Sequence, residues 1–303
     1  MGLVKLSDER LIVLLAEHVF GRSQRCQTLI DDPGVSSHHA MLSWRDGKWW
    51  VRDLGSTNGT SVNAAAIPSG TPVALTRGDT IRLKDAALEL TDDAAPTPAV
   101  LCLATGELQP GDASLVLIPN DVDPIASVHL AKGASWWLDI DGHSTELDDG
   151  QVFECAGKSY RFFSGGRFAP TAKHATDALR LCDLELEFRV SLDEEHVALR
   201  GHRAGKIVDL GARACNYLLL TLARQRQHDA RDATLPETSH GWIDSLDLLR
   251  MLGCNETKLS VDVCRVRQVF SKAGFEDAAD VIERRRGTRQ LRLGIAQCSI
   301  VQV

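Results

Sequence analysis

The chain has 303 residues, 44% of them hydrophobic and 25% charged, with a formal net charge of −7, a composition ordinary for a soluble globular protein of two or three domains. No apolar run approaches the ~20 residues of a membrane helix, and the N-terminus lacks a basic, apolar, small-residue signal pattern. No membrane partner is therefore expected, and a cytoplasmic location is. Eight scattered cysteines, at 26, 102, 155, 182, 215, 254, 264 and 298, include no C-x-x-C pair. They suit small buried hydrophobes in a reducing compartment, not a disulfide frame or a zinc site.

In chain order, the run Leu-Ile-Val-Leu-Leu at 11–15 reads as a buried strand. Three polar loop segments follow: Gly21-Arg22-Ser23, Ser36-Ser37-His38-His39 and Gly55-Ser56-Thr57-Asn58-Gly59-Thr60. A guanidinium, short hydroxyls and an amide on Gly-rich loops suit a dianionic phosphate. Arginine is a forked, permanent donor, the short side chains lose little entropy, and glycine lets backbone N–H groups turn toward an anion. No nucleophile, base or metal set accompanies them, so the segments predict a phosphate reader with no cofactor and not an enzyme. The paired His38 and His39 have no cysteine or carboxylate at ligand spacing, and a metal site is not expected.

These segments resemble the forkhead-associated (FHA) domain, which binds phosphothreonine peptides. The likeness runs over about residues 3–90 and five segments in the family's order: Gly21-Arg22-Ser23, Val35 to Ala40, Trp50 to Thr60, Val62-Asn63, and Leu75 with Gly78-Asp79. It implies a β-sandwich in which Arg22 and Ser36 hold the phosphate, with Ser37 beside them. Thr57 and Asn58 would form a second loop, Asn58 bonding the peptide backbone. His39 would brace the loops from behind, with Gly21, Gly55, Gly59 and Asn63 as further support. The family usually carries Arg or Asn where this chain has Ser37, and often Gly where it has Ala64. Loss of a second cation should weaken phosphate affinity or shift the preference for flanking residues.

Residues 92–99 form a small-residue, proline-bearing linker, in which Thr97 precedes Pro98 and is a candidate phosphosite able to fold back onto Arg22. The segment 99–168 resembles the first domain with its loops stripped. Residues 125–130 lie over 35–40, so that Ala126 replaces Ser36, and Trp136-Trp137-Leu138 lies over Trp49-Trp50-Val51. Residues 147–162 lie over 75–90. The expectation is a degenerate FHA-like β-sandwich that binds no phosphate and serves packing or partner contact; an unrelated β-meander is the alternative. Asp139, Asp141, His143 and Glu146 suggest a metal, but Asp141-Gly142 between strand-like segments is more simply a hairpin turn.

After a second linker at 170–177, residues 184–190 and 196–200 alternate like strands. Helices are predicted over 212–226, 245–252 and 258–273, and strands over 281–285 and 290–293, with 231–240 as an insertion. The order resembles the winged-helix effector domain of OmpR-type response regulators over about 184–294, chiefly through Val261 to Phe270 and Ile282 to Gly287. The family's glycine-tyrosine in the wing is Arg289-Gln290 here. Charge supports the division: residues 1–179 hold 15 Lys and Arg against 23 Asp and Glu, whereas 258–292 hold nine against five. At about 100° per residue, Leu259, Val263, Val266 and Phe270 share one helical face and should be core. Lys258, Val261, Arg265, Gln268 and Lys272 share the opposite face, suited to phosphates and base edges of double-stranded DNA, while Arg285, Arg286 and Arg289 could reach a flanking groove. A solvated basic face is the alternative.

The expected architecture is therefore mainly β with a C-terminal α+β domain: an FHA β-sandwich over 1–93, a degenerate one over 99–168 and a winged helix-turn-helix over 180–303. The expected function is recognition of a phosphothreonine-containing partner, the substrate of a Ser/Thr kinase, coupled to DNA binding and transcription. The alternative is a phospho-dependent adaptor whose winged helix makes only protein contacts.

Overall fold

The computed structural model describes residues 1–112, 114–131, 135–166, 179–285 and 287–303. The linker predicted at 170–177 and Arg286 lie outside the described residues. The chain divides into two compact units, residues 1–99 with 163–169, and residues 100–162 with 170–303.

The first unit is built from β1 (Gly2–Leu6), β2 (Leu11–Val13), β3 (Glu17–Gly21), β4 (Thr28–Leu29), β5 (Ala40–Arg45), β6 (Lys48–Asp53), β7 (Thr60–Val62), β8 (Ala65–Ala66), β9 (Val73–Leu75), β10 (Thr80–Leu83) and β11 (Ala86–Asp93). They make two sheets, in the orders β2-β1-β11-β10-β7-β8 and β4-β3-β5-β6-β9. Strand β6 shows why these residues form strands. Trp49, Val51 and Asp53 alternate inward against half-exposed Trp50 and Arg52, the period of two that one buried face requires. Trp49 and Val51 join Phe20, Leu42, Ile81 and Leu88 in a fully buried core. Because β3 and β6 each run antiparallel to β5, the ends of β3 and β6 and the start of β5 meet at one end of the sheet. All three polar loop segments emerge there.

Two expectations need correction. The strand at 11–15 covers only Leu11–Val13, and Leu11 is 59% exposed, because β2 is the outermost strand of its sheet. The 92–99 segment is packed: β11 runs through Asp93, Pro96 and Pro98 are buried, and the Trp49 indole donates to the Ala94 carbonyl. Thr97 is half-buried with its backbone against Gly165, so close that a Cβ there would lie 2.8 Å from the Thr97 carbonyl carbon. A threonine so held does not reach the Arg22 loops.

The middle strands are β12 (Ala99–Cys102), β13 (Leu108–Pro110), β14 (Leu115–Ile118), β15 (Ala126–Leu130), β16 (Trp136–Ile140), β17 (His143–Leu147), β18 (Val152–Cys155) and β19 (Lys158–Phe163). Their sheets, β13-β12-β19-β18 and β14-β15-β16-β17, repeat the order of the first sandwich with β4, β7 and β8 missing. The correspondence extends to single bonds. Gly78 N–H donates to Leu90 O at 2.8 Å, and Gly150 N–H to Phe162 O at 2.8 Å. The pairs Thr80–Glu89 and Val152–Arg161 occupy matching rungs. Asp141-Gly142 is the two-residue turn of the β16–β17 hairpin, with φ of 47° and 78°.

One register differs from the sequence reading. Leu42 faces Val51 in the first sandwich and Val128 faces Leu138 in the second. With the tryptophans superposed, Ala126 therefore matches Ala40 and not Ser36. A four-residue slip preserves the in–out alternation of a strand, so sequence pattern alone did not detect it.

The C-terminal third holds a sheet in the order β22-β21-β20-β26, from β20 (Glu185–Val190), β21 (Val197–Arg203), β22 (Lys206–Ala212) and β26 (Gln297–Gln302). Helices α1 (Asn216–Asp229), α2 (Ser245–Leu252) and α3 (Glu256–Lys272) follow β22, with a small sheet of β23 (Ile243–Asp244), β24 (Ile282–Arg284) and β25 (Gln290–Leu293). Strands β22 and β26 were not foreseen. Because β22 runs through Ala212, α1 begins at Asn216, whose side chain donates to Val197 O and Gly211 O. Asn255 accepts from Lys258 N–H and starts α3 two residues before the predicted position, as an N-cap does. Leu259, Val263, Val266 and Phe270 are buried as expected.

Candidate functional site

At the loop end of the first sandwich, backbone bonds bring the segments together. Arg22 N–H donates to Ser36 O at 2.9 Å and Ser23 N–H to Ser37 O at 3.0 Å. Gly21 permits this approach, since a Cβ there would lie 2.3 Å from Ser37 O. Ser36 Oγ accepts from Thr57 N–H at 3.0 Å and lies 3.4 Å from the Thr57 hydroxyl. Arg22 is exposed, with Nε donating to Val35 O at 3.3 Å. An exposed guanidinium, two hydroxyls and the turned loops thus share one surface, with Ser37 exposed next to Ser36.

Two buried groups hold this surface in place. His39 is fully buried; its Nδ1 accepts from Ser36 N–H at 3.1 Å, so Nε2 carries the proton and donates to Gly59 O at 3.1 Å. The ring thereby ties the 36–39 loop to the 55–60 loop. Asp53, at the end of β6, accepts from Gly55 and Ser56 N–H and from the Ser56 and Thr60 hydroxyls. Burial works to raise its pKa, but these hydrogen bonds outweigh burial and hold it at about 2. Gly55 and Gly59 adopt φ of 80° and 75°, the left-handed region that turns the loop back. Asp53 was within the quoted motif, yet its role was not assigned; its spacing to Ser56 and Thr60 was the available signal.

Asn58 and Asn63 act within the protein. Asn58 Nδ2 donates to Gly34 O at 2.8 Å, so it braces the loops, keeping a second N–H and a carbonyl oxygen for a ligand. Asn63 donates to Asp79 and accepts from Thr80 N–H, which fixes the β7–β8 turn. Ala64, standing where glycine is frequent, adopts φ of 68°.

The predicted DNA face on α3 is divided. Lys258 is ion-paired with Asp262, and Val261 is half-buried. Gln268 donates to Asp121 O at 2.9 Å, and Arg265 lies 3.9 Å from Asp123; both partners belong to the middle sandwich. Lys272 is exposed. Arg285 and Arg289 are exposed at the β24–β25 turn.

Sequence reading missed the neighbouring α3 stripe. Arg267, 1% exposed, donates from Nη1 to Asp139 at 2.6 Å and to Ser127 at 3.0 Å, beside His129 Nδ1 at 3.3 Å. Arg284 reaches the same Asp139 oxygen at 3.2 Å. Burial would raise the Asp139 pKa, but Arg267 foremost, with Arg284, pulls it well below the carboxylate range. Burial pushes His129 down to about 3. Cys264 packs on Leu115 and Leu117, and burial raises its thiol to about 12, so it is an inert apolar group. Among the described residues no cluster of His, Cys, Asp and Glu could hold a metal, and no helix is long and apolar enough to cross a membrane.

Residues 18–84 match the FHA domain family, so the first unit carries an FHA domain. FhaB, an FHA domain-containing protein of Mycobacterium tuberculosis, is 36% identical over 85 residues, which are 28% of this chain and 54% of that protein. An FHA domain-containing protein of Arabidopsis thaliana is 43% identical over 54 residues, 18% of this chain and 14% of that protein. The chain thus spans about half the length of FhaB. A structure described as phosphothreonine-dependent FHA domain interactions is 30% identical, covering 30% of this chain and 97% of that one, with a TM-score of 0.28. Mycobacterium tuberculosis EmbR in complex with a low-affinity phosphopeptide is 28% identical, covering 31% of this chain and 24% of that one, with a TM-score of 0.29.

Proposed function

We propose that the chain is a regulatory reader of phosphothreonine peptides, with the substrate of a Ser/Thr kinase as its partner. The observation that carries this is the exposed Arg22 guanidinium next to the Ser36 and Thr57 hydroxyls, on loops that His39 and Asp53 hold from beneath. Loops fixed before the ligand arrives lose little entropy on binding. The dianion takes its charge-assisted bonds from Arg22 and its short neutral ones from the hydroxyls. With Ser37 in place of a second cation, Arg22 is the charge on which affinity depends.

The test is calorimetric titration of a degenerate phosphothreonine peptide library and its unphosphorylated twin into the wild type and Arg22→Ala. Phosphate-dependent binding that weakens ten- to a hundredfold in the variant, about 1.5–3 kcal/mol for a charged hydrogen bond, is expected. Equal binding of both libraries would overturn the reading.

For the rest of the chain, the adaptor reading is favoured over coupling to DNA. Winged-helix recognition needs the outward face of α3 to enter a groove lined by phosphates. Beside that face stand Asp112, bonded to Ser271, and Asp121 and Asp123, next to Gln268 and Arg265; carboxylates there repel a duplex. A gel shift with double-stranded DNA across a salt series separates the two readings. The adaptor predicts no salt-steep shift, whereas DNA coupling predicts one that weakens sharply as salt rises.

A further inference from the structure

In the second unit a cavity of about 680 Å³ opens between the middle sandwich and the β24–β25 hairpin. That size suits a small organic ligand. Its charge is distinctive. Arg267, Arg284, Arg285, Arg289 and Arg292 line it, against Asp280 and Glu283 in the wall and Asp139 behind it, which leaves two positive charges among the described residues. The inner arginines are committed: Arg267 and Arg284 to Asp139, and Arg292 to Glu283 at 2.6 Å. Arg285 and Arg289 at the mouth have no carboxylate partner among the described residues. Arg285 donates instead to the Gln290 amide oxygen, at 3.1 Å.

The cavity also has flat walls. The Arg292 guanidinium lies 4.4 Å and that of Arg285 5.7 Å from the centre of the Trp242 ring. An indole with guanidiniums over its ring offers surface on which a further planar ring can stack. His143, exposed at the β16–β17 turn, faces the same space from the sandwich side. Two guanidiniums without a carboxylate partner for an anion, and an indole with guanidiniums over it for a ring, define one chemistry. We infer that this cavity binds a small phosphate-bearing ligand with a planar ring, of the nucleotide class. The site is independent of the phosphopeptide surface, and it uses arginines that a DNA-reading wing would otherwise spend on a duplex.

The test is calorimetry of the full chain with adenosine and guanosine 5′-mono-, di- and triphosphates, with inorganic phosphate and with a short DNA duplex. Saturable one-to-one binding of at least one nucleotide is expected. The loss should be at least tenfold in Arg285→Ala/Arg289→Ala and measurable in His143→Ala, with none in Arg22→Ala. Unchanged thermal melting shows that the variants fold; should the double variant melt early, His143→Ala carries the comparison. No binding of any nucleotide at millimolar concentration would overturn the inference. So would binding indifferent to both cavity variants, inorganic phosphate binding as tightly as the nucleotides, or binding of the duplex alone.

Discussion

From Trp50 to Gly78 the first sandwich advances 28 positions, and from Trp137 to Gly150 the second advances 13. The framework strands are otherwise the same, down to the bonds Gly78–Leu90 and Gly150–Phe162. The extra residues hold the 55–60 loop and the β7–β8 hairpin, and the inward position at the end of β6 differs accordingly. Asp53 gathers the loop there, whereas the second sandwich has Ile140. The outer face differs in the opposite sense. Arg52 of the first matches Asp139 of the second, and Asp139 is where Arg267 and Arg284 converge. One copy therefore gathers polar loops at one end of its sheet, and the other turns its sheet face into a dock for α3.

The largest effect should come from breaking that dock. Asp139→Ala leaves Arg267 and Arg284 facing a buried hole with no countercharge, and removing one partner of a buried pair costs about 3–5 kcal/mol. Urea unfolding should show the loss in the second unit, with phosphopeptide affinity unchanged. A loss below about 1 kcal/mol, the range of a surface pair, would mean that Arg267 reaches water and the dock is loose.

The matching break in the first sandwich is smaller and functional. Asp53→Asn keeps the shape of the side chain but turns one acceptor oxygen into a donor, against the Ser56 and Thr60 hydroxyls and two N–H groups. Loss of charged hydrogen bonds predicts about 1.5–3 kcal/mol, together with weaker phosphopeptide binding even though Asp53 touches no ligand. Normal affinity in Asp53→Asn would show that the loops hold without it.

Both sandwiches bury a histidine, and this sets a shared response to acid. Burial lowers His18 to about 4 and His129 to about 3, from 6.5 in the unfolded chain. Below pH 6.5 the unfolded chain takes up protons that the folded one refuses, so stability present above 6.5 is lost as pH falls toward these values. The slope approaches about 1.4 kcal/mol per pH unit for each histidine. In denaturant titrations at pH 7, 6, 5 and 4.5, His129→Gln should flatten the decline of the second unit and leave that of the first. A decline of equal slope in the variant would assign the acid sensitivity elsewhere.

What was legible in the sequence follows the same contrast. The FHA loops could be read because their residues are adjacent in the chain: Gly21 with Arg22, Ser36 with His39, Gly55 through Thr60. The dock could not, because Arg267 and Asp139 are 128 positions apart and each looks like a surface charge in its own segment. Helical periodicity assigned the core face of α3 correctly. It could not say that the sector holding Cys264, Arg267 and Ser271 faces another sheet, since polar residues on a helix flank usually face water. The slip that placed Ala126 over Ser36 has a related cause, as a strand's alternation fixes which side a residue faces and not its height.

The smallest expected effect concerns a departure from the family pattern that lies within the first sandwich. The β7–β8 turn places Asn63 at φ of 49° and Ala64 at 68°, both in the left-handed region that a two-residue hairpin turn demands. Asparagine tolerates this and is bonded to Asp79, whereas alanine pays about 1–2 kcal/mol for its Cβ. Glycine relieves that strain but adds freedom to the unfolded chain, so Ala64→Gly should stabilise by only about 0.5–1 kcal/mol. The middle sandwich has no counterpart of the β7–β8 hairpin among its described residues, so the gain should appear in the first unit alone, with phosphopeptide affinity unaltered. A destabilised variant would mean that the unfolded-state term exceeds the strain, and that Ala64 suits this turn as it stands.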